Sequence, residues 1–116
     1  MTEPVPVPVP LPVFDDDRGR LVPLDLDRVP FVPRRVFVVT GPPEGSTRGG
    51  HTVPCRELVV LVSGSATVRS DGVTTTLTTP GEQLLLEPGG EMDYDLAPGG
   101  STILVLADAP YGREPS

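Results

Sequence analysis

The segment TRGGHTVPCRELVVLVSGS, residues 47–65, contains the only histidine and the only cysteine of the chain, His51 and Cys55. It ends in a continuous apolar run, Leu58–Val62, which has the length and the branched side chains of a strand buried on both faces. Gly64 interrupts this run, and a strand-like pattern resumes directly after it. This segment therefore predicts β-strands joined by tight turns.

The same pattern continues on both sides of this segment. Asp71-Gly72 is a two-residue hairpin signal, because both residue types tolerate a positive φ, and Val73–Thr79 is the predicted return strand. The other predicted strands are 21–26, 34–41, 66–69, 83–88, 91–98 and 101–108. Asp15–Gly19 is predicted to be a turn, and no stretch of ten residues favours a helix. In a chain of 116 residues this predicts one all-β domain, a sandwich or small barrel.

The N-terminal segment alternates proline with valine, or with leucine at position 11, from Pro4 to Pro12. Because proline fixes φ and lacks an amide hydrogen, we expect an extended arm, either polyproline II or an edge strand. Composition leaves two interpretations open: a flexible tail, or an arm that lies against the sheet edge of a neighbouring subunit.

Composition and charge narrow the class of protein. The net charge is −7 and all nine basic residues are arginine, which argues against non-specific binding to nucleic acid. No apolar run approaches the roughly 20 residues that cross a bilayer, and no signal peptide is recognised. A single cysteine excludes an internal disulfide. We therefore expect a cytoplasmic protein.

Two residue spacings carry a resemblance to a known barrel. The first joins His51, Val53, Glu57 and Gly64, and the second joins Gly81, Pro88, Gly90 and Asp93. They resemble the two motifs of the cupin superfamily, whose fold is a jelly-roll barrel. Val53 stands where the first motif has its second histidine, and Asp93 stands where the second motif has a histidine. The resemblance thus implies the barrel with part of its polar set replaced.

Further motifs resemble the sugar 3,4-ketoisomerase (WxcM-like) family within this superfamily. They are Asp16–Gly19, Pro30-Phe31, Arg34–Phe37, Arg48–His51, Val62–Ser65 and Leu104–Ala107. The resemblance covers residues 14–111, which predicts an arm at 1–13, a barrel at 14–111 and a tail at 112–116. It implies a dTDP-4-keto-6-deoxyglucose isomerase, a homodimer with intertwined N-terminal strands, and no metal or other cofactor.

This reaction needs a base, a proton carrier and donors for a developing oxyanion. Histidine suits the first two roles because its ordinary pKa is about 6.5. The family uses a His-x-His pair with a tyrosine and an arginine nearby, whereas here only His51 remains and Val53 cannot carry a proton. Residues 38–40 read VVT where the family usually has tyrosines, and GGEMDY lacks the Trp-His of many members.

We predict His51 as the catalytic residue, with six residues in contact with the ligand. These are Arg35, Thr40, Arg48, Glu57, Asp93 and Tyr94. Each also has a structural interpretation: for example, Tyr94 could fill the barrel, Arg48 could tether a loop, and Glu57 could pair with Arg48 or Arg35. Cys55 is interpreted as a small buried apolar residue.

We do not predict a metal site at His51, Cys55, Glu57 and Asp93, because Pro54 interrupts the strand and a single histidine makes a poor ligand set for a transition metal. Three functions stay open. The first is a nucleotide-sugar 3,4-ketoisomerase, the second a cupin that binds a small metabolite without catalysis, and the third an isomerase or cyclase acting on a non-nucleotide natural product.

Overall fold

The computed structural model describes residues 4–7 and 9–110, apart from the side chain of His51. The strands within these residues are β1 (Val5–Pro6), β2 (Phe14–Asp16), β3 (Gly19–Leu21), β4 (Arg35–Thr40), β5 (Ser46–Thr52), β6 (Glu57–Ser63), β7 (Ala66–Ser70), β8 (Val73–Leu77), β9 (Gln83–Leu86), β10 (Glu91–Leu96) and β11 (Thr102–Ala107). A 3-10 helix at Leu26–Arg28 is the one helical element of the described chain. None of the described chain forms a helix long and apolar enough to cross a membrane.

Two antiparallel sheets form the barrel. One has five strands in the order β1-β9-β6-β11-β4, and the other has four in the order β5-β10-β7-β8. β2 and β3 form a separate hairpin. Apart from the β7–β8 hairpin, neighbours in each sheet are not consecutive in sequence, as in a jelly roll, so the predicted all-β cupin barrel is confirmed.

The core has two layers, one on each side of the five-stranded sheet. Val59 and Leu61 of β6 belong to the apolar cluster between the two sheets, which we call the inner core. Leu58 and Val60 of the same strand pack outward, under a layer that includes Leu11 and Phe31. β6 is therefore buried on both faces, because the chain that precedes β4 covers the outside of its sheet.

The turns follow the predicted chemistry except near the N-terminus. Asp71 and Gly72 have φ of 55° and 77°, as the hairpin between β7 and β8 requires. The predicted strand at 21–26 is wrong, since β3 ends at Leu21 and the chain continues to the 3-10 helix. The predicted turn narrows to Asp17-Arg18, where the carboxylate of Asp16 accepts a 2.8 Å hydrogen bond from the Arg18 amide.

The valine–proline arm lies along the free edge of β9 in its own chain. Val7 donates an amide hydrogen bond of 3.1 Å to Gln83, and Leu11 donates one of 2.8 Å to Gly81. The side-chain amide of Gln83 in turn donates to the carbonyl of Val9 over 3.1 Å. The arm thus takes the predicted edge-strand form here, while the predicted tail at 112–116 lies outside the described residues.

Candidate functional site

Two charged side chains from the five-stranded sheet meet at one end of the barrel. Arg35 begins β4, Glu57 begins β6, and both pair in register with Ala107 of β11. Alternation along each strand points them inward, at the same level as one another. The guanidinium of Arg35 lies 4.0 Å from the carboxylate of Glu57 and 4.9 Å from the centre of the Phe37 ring.

The carboxyl group of Glu57 is enclosed, with only 3% of the residue exposed. Burial raises the pKa of Glu57 above its ordinary range, the Arg35 guanidinium opposes the rise, and the nearby charge of Asp108 adds to it. Of the two partners that sequence analysis offered for this carboxylate, Arg35 is the one that forms the ion pair.

A tyrosine and an arginine from the four-stranded sheet face this pair. Tyr94 of β10 is opposite Arg48 of β5 in register, and its ring lies in the inner core with 3% exposed. Burial raises the pKa of Tyr94, Arg48 opposes this rise through its charge and its approach to the hydroxyl, and Glu57 adds to it. We call Arg35, Arg48, Glu57 and Tyr94 the mouth cluster.

The strand β5, which contributes Arg48 to this cluster, also carries the predicted catalytic residue His51. The backbone of His51 pairs with Met92, a residue of the inner core, two positions from Tyr94 along β10. The side chain of His51 lies outside the described atoms. Val53 is 1% exposed in the inner core, and hydrogen bonds to Gly90 (2.8 Å) and Gly89 (3.0 Å) hold its backbone. Hydrocarbon thus fills the position where the family motif has its second imidazole.

Two predicted ligand-binding residues lie apart from the mouth cluster. The Thr40 hydroxyl is exposed and shares a 3.1 Å hydrogen bond with Thr102. Asp93 pairs with Arg69 at 2.5 Å and lines a cleft of about 620 Å³ that also reaches Gly50. Because Asp93 adjoins inward-facing Tyr94 and Thr40 adjoins inward-facing Val39, alternation places both on the opposite face.

The cysteine and the rejected metal site are explained by the connection between β5 and β6. His51 and Glu57 do not lie on one strand, because β5 ends at Thr52 and β6 begins at Glu57. Burial raises the pKa of Cys55, and the charges of Glu57 and Asp108 add to the rise. No group of three or more His, Cys, Asp or Glu side chains in the described chain is placed to hold a metal ion.

One contributor to this site was missed from the sequence. Asp108 follows β11, and its carboxylate accepts two hydrogen bonds of 3.0 Å from the backbone amide and the side chain of Arg56. From there its charge acts on both Glu57 and Cys55. The sequence carries no signal for this role, because the contact joins residues 52 positions apart.

The two-sheet jelly roll with polar side chains at one mouth defines the class of protein as a cupin barrel. The family model described as "FdtA: WxcM-like, C-terminal" matches residues 8–115. The chain therefore belongs to the WxcM-like, C-terminal family. No curated protein matches the sequence.

Solved structures share the fold. QdtA, a sugar 3,4-ketoisomerase from Thermoanaerobacterium thermosaccharolyticum in complex with TDP, is 24% identical with a TM-score of 0.75, and 94% of this chain and 82% of that chain are covered. The WlaRB TDP-quinovose 3,4-ketoisomerase from Campylobacter jejuni is 22% identical with a TM-score of 0.76, covering 97% and 89%. The dTDP-4-dehydrorhamnose 3,5-epimerase from Bacillus anthracis is 18% identical with a TM-score of 0.68, covering 89% and 71%.

Proposed function

We propose that this barrel binds a nucleotide-linked 4-keto-6-deoxysugar at the mouth cluster and isomerises it to the 3-keto sugar. The observation that carries the proposal is the mouth cluster itself, which brings two guanidinium groups, a carboxyl and a phenol to one end of a barrel of the WxcM-like family. The two ketoisomerases of similar fold support the substrate class, and one of them was solved with TDP.

The reaction would need the cluster to stabilise an oxyanion. When a base removes the C3 proton, negative charge develops on the C4 oxygen, and donors already in place lower the energy of that state. The guanidinium groups of Arg48 and Arg35 provide such donors, Arg48 from an exposed position and Arg35 from a part-buried one. His51 is the proposed base. It is the only histidine of the chain, and histidine is the residue type with an ordinary pKa near neutrality. Its backbone pairs with Met92, two positions from Tyr94 along β10.

Val53 favours a second candidate function, a barrel that binds the sugar nucleotide without turnover. Its side chain is packed in the inner core and leaves no second imidazole to carry a proton. Binding would need only the hydrogen bonds of the mouth cluster, whereas isomerisation also needs proton transfer.

The test compares the purified protein with a His51→Ala variant. Both are incubated with dTDP-4-keto-6-deoxyglucose while NMR follows the 3-keto product, and calorimetry measures dTDP binding. Turnover by the wild type, reduced at least about 100-fold in the variant, supports the isomerase. Binding without turnover in the wild type supports the second candidate, and neither binding nor turnover contradicts both.

The proposal includes a cytoplasmic homodimer. Val36 and Val38 of the edge strand β4 are 55% and 61% exposed on the outer face of the sheet, and part-buried Leu104 on β11 adjoins them in register. Exposed branched side chains along a free strand edge favour contact with another protein surface. The arm that lies on β9 could make the same hydrogen bonds to a partner chain, so strand exchange stays a prediction.

A further inference from the structure

The hydroxyl of Tyr94 is a buried polar atom of the mouth cluster. It is fully enclosed, yet no hydrogen bond of acceptable geometry joins it to any side chain or backbone group in the described chain. A buried hydroxyl without a partner costs roughly 1–3 kcal/mol. The fold tolerates this cost inside the mouth cluster, where Arg48 and Glu57 are the charged neighbours of the hydroxyl.

The surroundings of the hydroxyl suit a group that gives up and regains a proton. Arg48 lies close enough to favour the ionised form of Tyr94, while burial and the charge of Glu57 favour the neutral form. Glu57 is itself engaged by Arg35, so its carboxylate is the less available of the two acids. Tyr94 is therefore protonated near neutral pH and has a cation beside it when the proton leaves.

We propose that Tyr94 is a catalytic residue that carries the proton between the two substrate oxygens, with Arg48 as its positioning residue. This inference rests on the proposed isomerisation. It assigns to a phenol the oxygen chemistry that a second imidazole at position 53 would otherwise serve.

The step balances with two proton carriers. His51 takes the C3 proton, the electrons of that bond form the C3–C4 double bond, and the C4 carbonyl oxygen takes the proton of the Tyr94 hydroxyl. The enediol then collapses: C4 takes the proton back from His51, C3 becomes the carbonyl carbon, and the C3 hydroxyl returns a proton to the Tyr94 oxygen. Both residues end in their starting states, and no oxidant or reductant is needed.

The first test is Tyr94→Phe, which keeps the ring packing and removes only the hydroxyl. We expect dTDP to bind within about threefold of the wild type and kcat for dTDP-4-keto-6-deoxyglucose to fall at least about 100-fold. The matched control is Thr67→Val, which removes a hydroxyl from the outer face of neighbouring β7 and should leave kcat unchanged.

The second test does not depend on the folding of that variant. Tyr94 and Tyr111 are the only tyrosines, so the near-ultraviolet absorbance of Tyr111→Phe reports the ionisation of Tyr94 alone. We expect this pKa to coincide with the alkaline limb of kcat/KM in the wild type. It should rise when Arg48→Met is added and fall when Glu57→Gln is added.

The outcomes separate the two proposals. A wild type that forms no 3-keto sugar, whether or not it binds dTDP, overturns the proposed isomerisation and this inference with it. A wild type that turns over while Tyr94→Phe keeps kcat within about threefold overturns only the role of Tyr94. Loss of dTDP binding in Tyr94→Phe, or an alkaline limb that does not follow the Tyr94 titration, overturns it as well.

Discussion

Arg35 and Glu57 form an ion pair of 4.0 Å at the mouth of the barrel, with side chains that are 17% and 5% exposed. The pairing depends on β11, because Ala107 aligns the first residue of β4 with the first residue of β6. Arg35 therefore gives a buried carboxylate its cationic partner, and in the proposed function the same guanidinium also contacts the substrate.

Arg35→Met should destabilise the fold by about 3 kcal/mol at neutral pH, because it leaves the Glu57 carboxylate buried without its cation. The folded-state pKa of Glu57 already lies above the ordinary 4.5, so its protonated form favours folding, and loss of Arg35 raises that pKa further. The destabilisation should be small below the ordinary carboxyl pKa and grow as pH rises through the folded value.

Urea unfolding across that pH range measures the effect, with Arg34→Met as the control because Arg34 is exposed. Adding Glu57→Gln to Arg35→Met should recover part of the loss. A pH-independent change, or an equal effect at Arg34, contradicts the role assigned to the pair.

Val53→His should cost about 2 kcal/mol, because an imidazole is larger than the valine side chain that fits between inner-core neighbours. Thermal unfolding beside Thr52→His, an exposed neighbour on β5, checks this. Equal stability of the two variants would mean that position 53 still accommodates the family's second histidine.

Most strands were predictable because turn residues and alternation are local features of the sequence, but β2, β3 and β5 were not among the predicted strands. Asp71-Gly72 and the apolar run of β6 each determine their structure within a few residues. The mouth cluster was only partly predictable, since the Arg35–Glu57 pair joins residues 22 positions apart through a third strand. Thr40 was included although alternation with Val39 turns it outward, which becomes certain only once the inner face of β4 is known.

Gly64→Ala should lower the free energy of unfolding by about 3 kcal/mol, which is more than the strain of a positive φ alone explains. Gly64 has φ of 73°, and a β-carbon there would collide with the Ser101 hydroxyl and lie 2.8 Å from its Cα. Gly72 has a similar φ of 77° but open space around it, so Gly72→Ala should cost only about 1–2 kcal/mol. Chemical unfolding measures the free energy of unfolding of both variants, and equal losses of stability would contradict the role assigned to the contact with Ser101.

Val38→Asp should convert the proposed homodimer to a monomer, because it places a charge in the centre of the exposed apolar face of β4. Thr74→Asp, on an exposed position of β8, should leave the assembly unchanged. Sedimentation velocity reports the mass of each. A wild type that sediments as a monomer would show that this face does not mediate self-association.

Asp95 on β10 links the two neighbouring strands β5 and β7 on the outer face of the four-stranded sheet, and its loss should flatten the acid dependence of stability. Its carboxylate accepts two hydrogen bonds of 2.9 Å from Arg69 and one of 2.6 Å from Thr47, which lower its pKa from 3.8 to about 2. A lowered folded pKa contributes stability that is present above the ordinary value and is lost as pH falls toward about 2. Asp95→Asn should thus unfold at lower urea than the wild type near neutral pH, and the difference should shrink across that acidic interval. Asp25→Asn, at an exposed carboxylate before the 3-10 helix, is the control, and a difference that persists unchanged at the acidic end would exclude the titration of Asp95 as its cause.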